Sequence, residues 1–140
     1  MSYWRLRFLL DSPATPDLKP VPHTAFQASV RSRAALDLTR APFARERSAW
    51  TDPASYEATQ RLAAAARAAQ IELIRYESVR DPQHAACVAV LEPGAFGRGR
   101  PRSLETWFIA AARTRVRCAL QGSDVPQFEF GAAELVAGAL

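Results

Sequence analysis

The sequence predicts an α+β fold within the broad α/β class: a small mixed, largely antiparallel sheet with flanking helices. Three observations predict it. Ile71 to Arg80, IELIRYESVR, places Ile71, Leu73, Ile74 and Tyr76 within six residues and contains no Gly or Pro, a density of β-branched and aromatic side chains that marks a strand. A long Ala-rich stretch with helical spacing precedes it. A second apolar run, Ala85 to Leu91, follows after the short break Asp81-Pro82-Gln83-His84, close enough for an antiparallel pair.

The 140 residues are 49% hydrophobic and 23% charged, which suits one globular domain over residues 1–140. The net charge is +4, and Lys19 is the only lysine beside a large excess of arginine. These charges are scattered, with no long basic run, so direct nucleic-acid binding is not expected. Cys87 and Cys118 lie in the apolar contexts ACVAV and VRCAL and read as reduced, buried thiols without metal-ligand spacing. His23 and His84 are isolated. No run is long enough to span a bilayer, and MSYWRLRFLLDSP is too short and too Arg-interrupted for a secretory signal, so the expected location is cytoplasmic with no membrane partner.

Along the chain, Ser2 to Leu10 fits either a strand with alternating arginines or the last turns of a helix. Its apolar density at a terminus is unusual, since termini tend to fray. With Tyr3, Trp4, Phe8 and Leu9 uncovered, the chain is expected to be poorly soluble or homo-oligomeric. Asp11 to Pro22 carries Pro13, Pro16, Pro20 and Pro22 and reads as a connector. His23 to Val30 has strand character, with Thr24, Phe26, Ala28 and Val30 on one parity, and Ala35 to Leu38 is a short strand. Trp50-Thr51-Asp52-Pro53 is a helix start, Asp52 capping and Pro53 in the first turn, for a helix reaching about Ala69.

Ile71 to Ser78 and Ala85 to Leu91 then form strands. The second is apolar on both parities and is expected to be central. Glu92 to Arg102, EPGAFGRGRPR, is a basic loop able to contact an anion, without a P-loop or Rossmann pattern. Glu105 to Leu120 is ambiguous between helix and strand. Alternation of Thr114, Val116 and Cys118 with Arg113, Arg115 and Arg117 favours a strand with one charged face. Gly122-Ser123-Asp124 is a turn, Gln127 to Phe130 a short strand, and Ala132 to Leu140 a weak helix or tail.

The succession YWRLRFLLDSP, PHTAFQASV, WTDPASYEATQRLAAAARAA, IELIRYESVR, a Cys-containing strand ending in LEP, and TWFIAAARTRV resembles the later part of a RES domain, the toxin component of bacterial Res–Xre toxin–antitoxin pairs. The resemblance covers nearly the whole chain, is weakest after Leu120, and is most specific at IRYESVR and the WTDP helix. It implies a fold like part of an ADP-ribosyltransferase, and degradation of NAD by phosphorolysis or hydrolysis of the nicotinamide–ribose bond. NAD is then the substrate, inorganic phosphate a possible co-substrate, and an Xre-type antitoxin the protein partner, with no separate cofactor. Ser78 matches the family's Ser. Its Arg, an active-site Tyr and its Glu are expected upstream of YWR, which makes the chain an N-terminally incomplete RES domain in expectation, of doubtful activity.

The nicotinamide is already cationic in the substrate and leaves neutral, so no general acid is required. The oxocarbenium-like transition state needs a carboxylate, donors for the pyrophosphate and an oriented nucleophile. Ser78 can bond ribose, the nicotinamide amide or incoming phosphate, and Arg75 or Arg80 can hold phosphate. Strand alternation puts Tyr76, Ser78 and Arg80 on one parity and Arg75 on the other, so the preferred trio is Tyr76, Ser78 and Arg80. Neither Glu72 nor Glu77 is assigned the missing carboxylate. The alternatives are an inactive remnant that retains part of the nucleotide pocket or the partner surface, and a small basic α/β interaction module without enzyme activity.

Overall fold

The computed structural model describes residues 2–81 and 83–137; Pro82 of the expected break and the last three residues of the expected tail lie outside them. The chain forms two compact units, Met1–Gln27 with Pro101–Ala137, and Ala28–Arg100. Both combine helix with a largely antiparallel sheet, as the α+β expectation requires, but strands expected in one sheet are divided between two.

In the first unit, Ser2–Asp11 is a helix (α1). Leu6 and Leu9, three residues apart, point inward and are fully buried, while Trp4 and Phe8 are exposed. This settles the helix-or-strand ambiguity and corrects the expectation for Leu9, which is covered. The sheet runs β1-β5-β6-β7, from β1 (Leu18–Gln27), β5 (Arg102–Ala112), β6 (Arg115–Leu120) and β7 (Phe128–Gly131). The ambiguous Glu105 to Leu120 stretch is a hairpin, with Ala112 opposite Arg115. Val116 and Cys118 face the core, and Arg115 and Arg117 pair with Glu129 on the other side, as the alternation predicts. Ile109, Ala111, Val116 and Cys118 pack with Leu6, Leu9 and Leu135. The final helix, α4 (Ala132–Ala137), follows β7 directly.

The proline-rich segment corrects the connector expectation, because Lys19 to Pro22 belong to β1. Within its sheet β1 pairs only with β5; Pro20 falls in a register irregularity between Leu18 and Val21, and Pro22 lies opposite Phe108. On an edge strand a missing N–H that points outward forfeits no ladder bond.

Arg113, in the hairpin turn, reaches the C-terminal end of α1. Its guanidinium donates to the carbonyls of Leu9 (2.8 Å), Ser12 (3.1 Å), Pro13 (2.7 Å) and Thr15 (3.0 Å). A cation there satisfies carbonyls that a helix terminus leaves unpaired and complements its dipole.

In the second unit, the sheet order is β2-β3-β4, from β2 (Ala35–Asp37), β3 (Leu73–Glu77) and β4 (Ala86–Val90). β2 pairs parallel to β3, and β4 pairs antiparallel to it. The central strand is therefore β3, and β4, expected to be central, is an edge. A short helix, α2 (Arg47–Trp50), precedes the longer α3 (Glu57–Ala68). Leu38, Ala66 and Ile74 form the core, with Leu36, Phe43, Trp50, Leu62, Ile71, Tyr76 and Leu91 packed against them. α3 ends with Gln70 at φ 57°, where the N–H of Ile71 bonds the Ala66 carbonyl and that of Gln70 the Arg67 carbonyl. That double closure turns the chain sharply from α3 into β3.

Candidate active site

Alternation along β3 divides the predicted site residues. Ile74 and Tyr76 face a cavity of about 330 Å³ whose other walls include Leu38, Trp50, Tyr56, Leu62 and Ala89. The small Ala63 on α3 lines it too. Tyr76 is half-buried beside Cys87, its cross-strand neighbour. Burial first, and the Cys87 thiol second, raise the Tyr76 hydroxyl above the ordinary value of 10.0, so the phenol is neutral and able to donate at physiological pH.

Ser78 lies one residue beyond β3, half-buried, and donates its backbone N–H to the Ala85 carbonyl at 2.9 Å. The next residue, Val79, lines the cavity. Arg80 turns back across the chain. Its guanidinium donates to the Pro53 carbonyl at 2.9 Å and to the Tyr56 hydroxyl at 3.0 Å. Ser78 to Arg80 is thereby joined to Pro53 to Tyr56, and both segments carry residues that line one cavity.

The same contact explains why α3 starts four residues later than predicted. In a helix from Pro53, the Pro53 carbonyl would accept the Glu57 N–H. It accepts Arg80 instead, and the Glu57 N–H turns to the Ser55 hydroxyl at 3.3 Å. Asp52 does cap, but it caps a turn: its Oδ1 accepts the N–H groups of Ala54 (2.8 Å) and Ser55 (3.1 Å). Sequence reasoning therefore missed Trp50, Asp52 and Tyr56 as cavity residues, because their spacing reads as an ordinary helix start.

Arg75 is on the opposite face of β3. It pairs with Asp37 at 3.1 Å and donates to the Thr39 hydroxyl at 2.7 Å. Of the four predicted residues, Tyr76 alone lines the cavity; Ser78 and Arg80 flank Val79, which also lines it, and Arg75 lies on the opposite face of β3. The nearby carboxylates have other partners: Glu77 bonds Arg47 at 2.6 Å, and Glu72 accepts the Arg33 N–H at 2.9 Å.

The Arg47 hydrogen bond lowers the Glu77 carboxyl below the ordinary 4.5, a bond from Ser32 chiefly lowers Glu72, and one from Thr39 chiefly lowers Asp37 below 3.8. A carboxyl depressed on folding contributes stability above its unfolded value and loses it as pH falls through the folded one. In urea titrations the second unit is expected to hold a constant midpoint from about pH 7 to about pH 5 and to weaken progressively below that. A midpoint that rises on acidification would contradict these pairings.

Among the described residues, no group of His, Cys, Asp and Glu could hold a metal ion, and no helix is long and apolar enough to cross a membrane. The second unit is thus a small helix-on-sheet body with a ligand-sized, aromatic-walled cavity at the end of its central strand. The RES domain family model matches residues 1–110, including all of that unit, and the chain belongs to the RES domain family. No curated protein matches the chain.

Proposed function

We propose that this RES domain binds NAD at the corner formed by Tyr76, Ser78 and Arg80, and that its reaction breaks the nicotinamide–ribose bond by phosphorolysis or hydrolysis. The observation that carries the reading is the cavity of about 330 Å³ beside the IRYESVR segment, with Tyr76 in its wall. Its size and its aromatic lining with few polar groups suit a small planar ligand. Ser78 orients ribose or an incoming phosphate, the neutral Tyr76 hydroxyl supplies a donor, and Arg80 supports the turn and offers its charge to phosphate. Arg75, engaged with Asp37 on the other face of β3, is the least suited of the four to touch substrate. The biological role that goes with this activity is that of a cytoplasmic bacterial toxin held by an Xre-type antitoxin.

The test is nicotinamide release from NAD by the purified chain, with and without inorganic phosphate, alongside NAD binding by calorimetry. Phosphate-dependent release identifies a phosphorylase, and phosphate-independent release a glycohydrolase. Binding without release identifies an inactive remnant of the pocket. Neither binding nor release overturns the reading in favour of an interaction module.

A further inference from the structure

We propose that the cavity in the second unit selects a positively charged planar ring, and that Asp52 is the residue that makes the selection. The inference rests on the NAD reading for its natural occupant, the pyridinium ring of the nicotinamide end. Asp52 is the one carboxylate among the described residues that line the cavity. Both of its hydrogen bonds to backbone, from Ala54 and Ser55, fall on Oδ1. They hold the carboxylate in place while Oδ2 takes part in neither.

Three aromatic side chains line the same space, Trp50, Tyr56 and Tyr76. The Trp50 indole is fixed by its N–H bond to the Phe43 carbonyl at 2.9 Å, and the Tyr56 hydroxyl by its bond from Arg80 at 3.0 Å. Aromatic faces attract a cation, and a carboxylate at their edge adds to the attraction, most strongly where water is displaced.

Two cations stand near the cavity, Arg80 and Arg67. Arg80 braces the turn from Pro53 to Tyr56 without lining the cavity. Arg67 does line it, but is exposed and lies eleven residues after Tyr56 along α3. At the helical rise, the two backbone positions are about 16 Å apart along the helix axis.

The charge on the ring disappears as the bond to ribose breaks, so Asp52 favours bound substrate over the transition state. It is a ground-state binding residue: its loss is expected to raise KM and kcat together and to leave kcat/KM nearly unchanged. The neutral nicotinamide released keeps no ionic hold on the cavity.

The experiment titrates the chain with 1-methylnicotinamide, a permanent cation, and with neutral nicotinamide, following tryptophan fluorescence. The cation is expected to bind about 10-fold more tightly. Asp52→Asn retains a side-chain oxygen for the Ala54 and Ser55 amides, so the turn is kept, and it is expected to cut the preference to the small part that the aromatic walls supply. Equal affinities in the parent chain, no binding of either ring, or a preference undiminished in Asp52→Asn would each overturn the inference. NAD turnover without any preference for the cation would sink the inference and spare the NAD reading. A preference that Asp52→Asn reduces, in a chain that neither binds nor cleaves NAD, would support the cavity's selectivity and remove the NAD reading.

Discussion

Ser78→Ala is expected to lower nicotinamide release about 100-fold while changing folding stability by less than about 0.5 kcal/mol. The two halves of this expectation have separate origins. The bond that closes the end of the β3–β4 pair is donated by the Ser78 backbone N–H to Ala85, and alanine keeps it. What alanine removes is a hydroxyl next to Val79, which lines the cavity, in the same short segment as Arg80. Loss of one oriented hydrogen-bonding group costs most where charge develops in the transition state. The measurement is steady-state nicotinamide release by the parent chain and the variant, together with a urea melt. Unchanged release would remove Ser78 from the site. A large loss of stability would make it a structural residue.

Arg113→Ala is expected to destabilise the first unit by about 2–3 kcal/mol, the range for losing charge-assisted hydrogen bonds at a partly buried site. One guanidinium serves four carbonyls between Leu9 and Thr15, so it fixes both the end of α1 and the chain leaving it. Arg113→Lys is expected to recover only part of the loss, since an ammonium lacks the planar fork that spreads its donors over several acceptors. Chemical denaturation followed by circular dichroism checks both variants. Equal stability of Arg113→Ala and the parent would show that water serves these carbonyls as well.

The parts of the fold that local chemistry dictates were legible. IELIRYESVR reads as a strand because β-branched and aromatic residues crowd it, and its antiparallel neighbour follows from the short break. The depth of β4 was not legible. Its continuous apolar run is built partly from alanine, and small side chains fit an edge as readily as a centre. Pro20 and Pro22 argue against a strand in any sequence window, and only the strand's place at an edge reconciles them with pairing.

At the candidate site, the parity argument separates Arg75 from Tyr76, and β3 has that alternation. The start of α3 is not legible in the sequence for a physical reason: the deciding hydrogen bond runs from Arg80 to the Pro53 carbonyl, across 27 positions of sequence. Asp52 was legible as a cap, and its place in the cavity wall depends on that same distant contact.

The two prolines of β1 also bear on how this protein meets other chains. A foreign strand laid along an exposed edge continues a sheet only if it finds alternating donors and acceptors there. Pro20 and Pro22 remove two N–H donors from the first half of β1, which makes that part of the strand a poor template for strand addition or for aggregation. The other edge strands are β2, with three residues, β7, with four, and β4, with five. Of these, β4 offers the longest proline-free ladder, Ala86-Cys87-Val88-Ala89-Val90, with Val88 exposed. Along β1 the prolines confine any added strand to residues 23–27, a stretch of the same length as the proline-free edge strand β4.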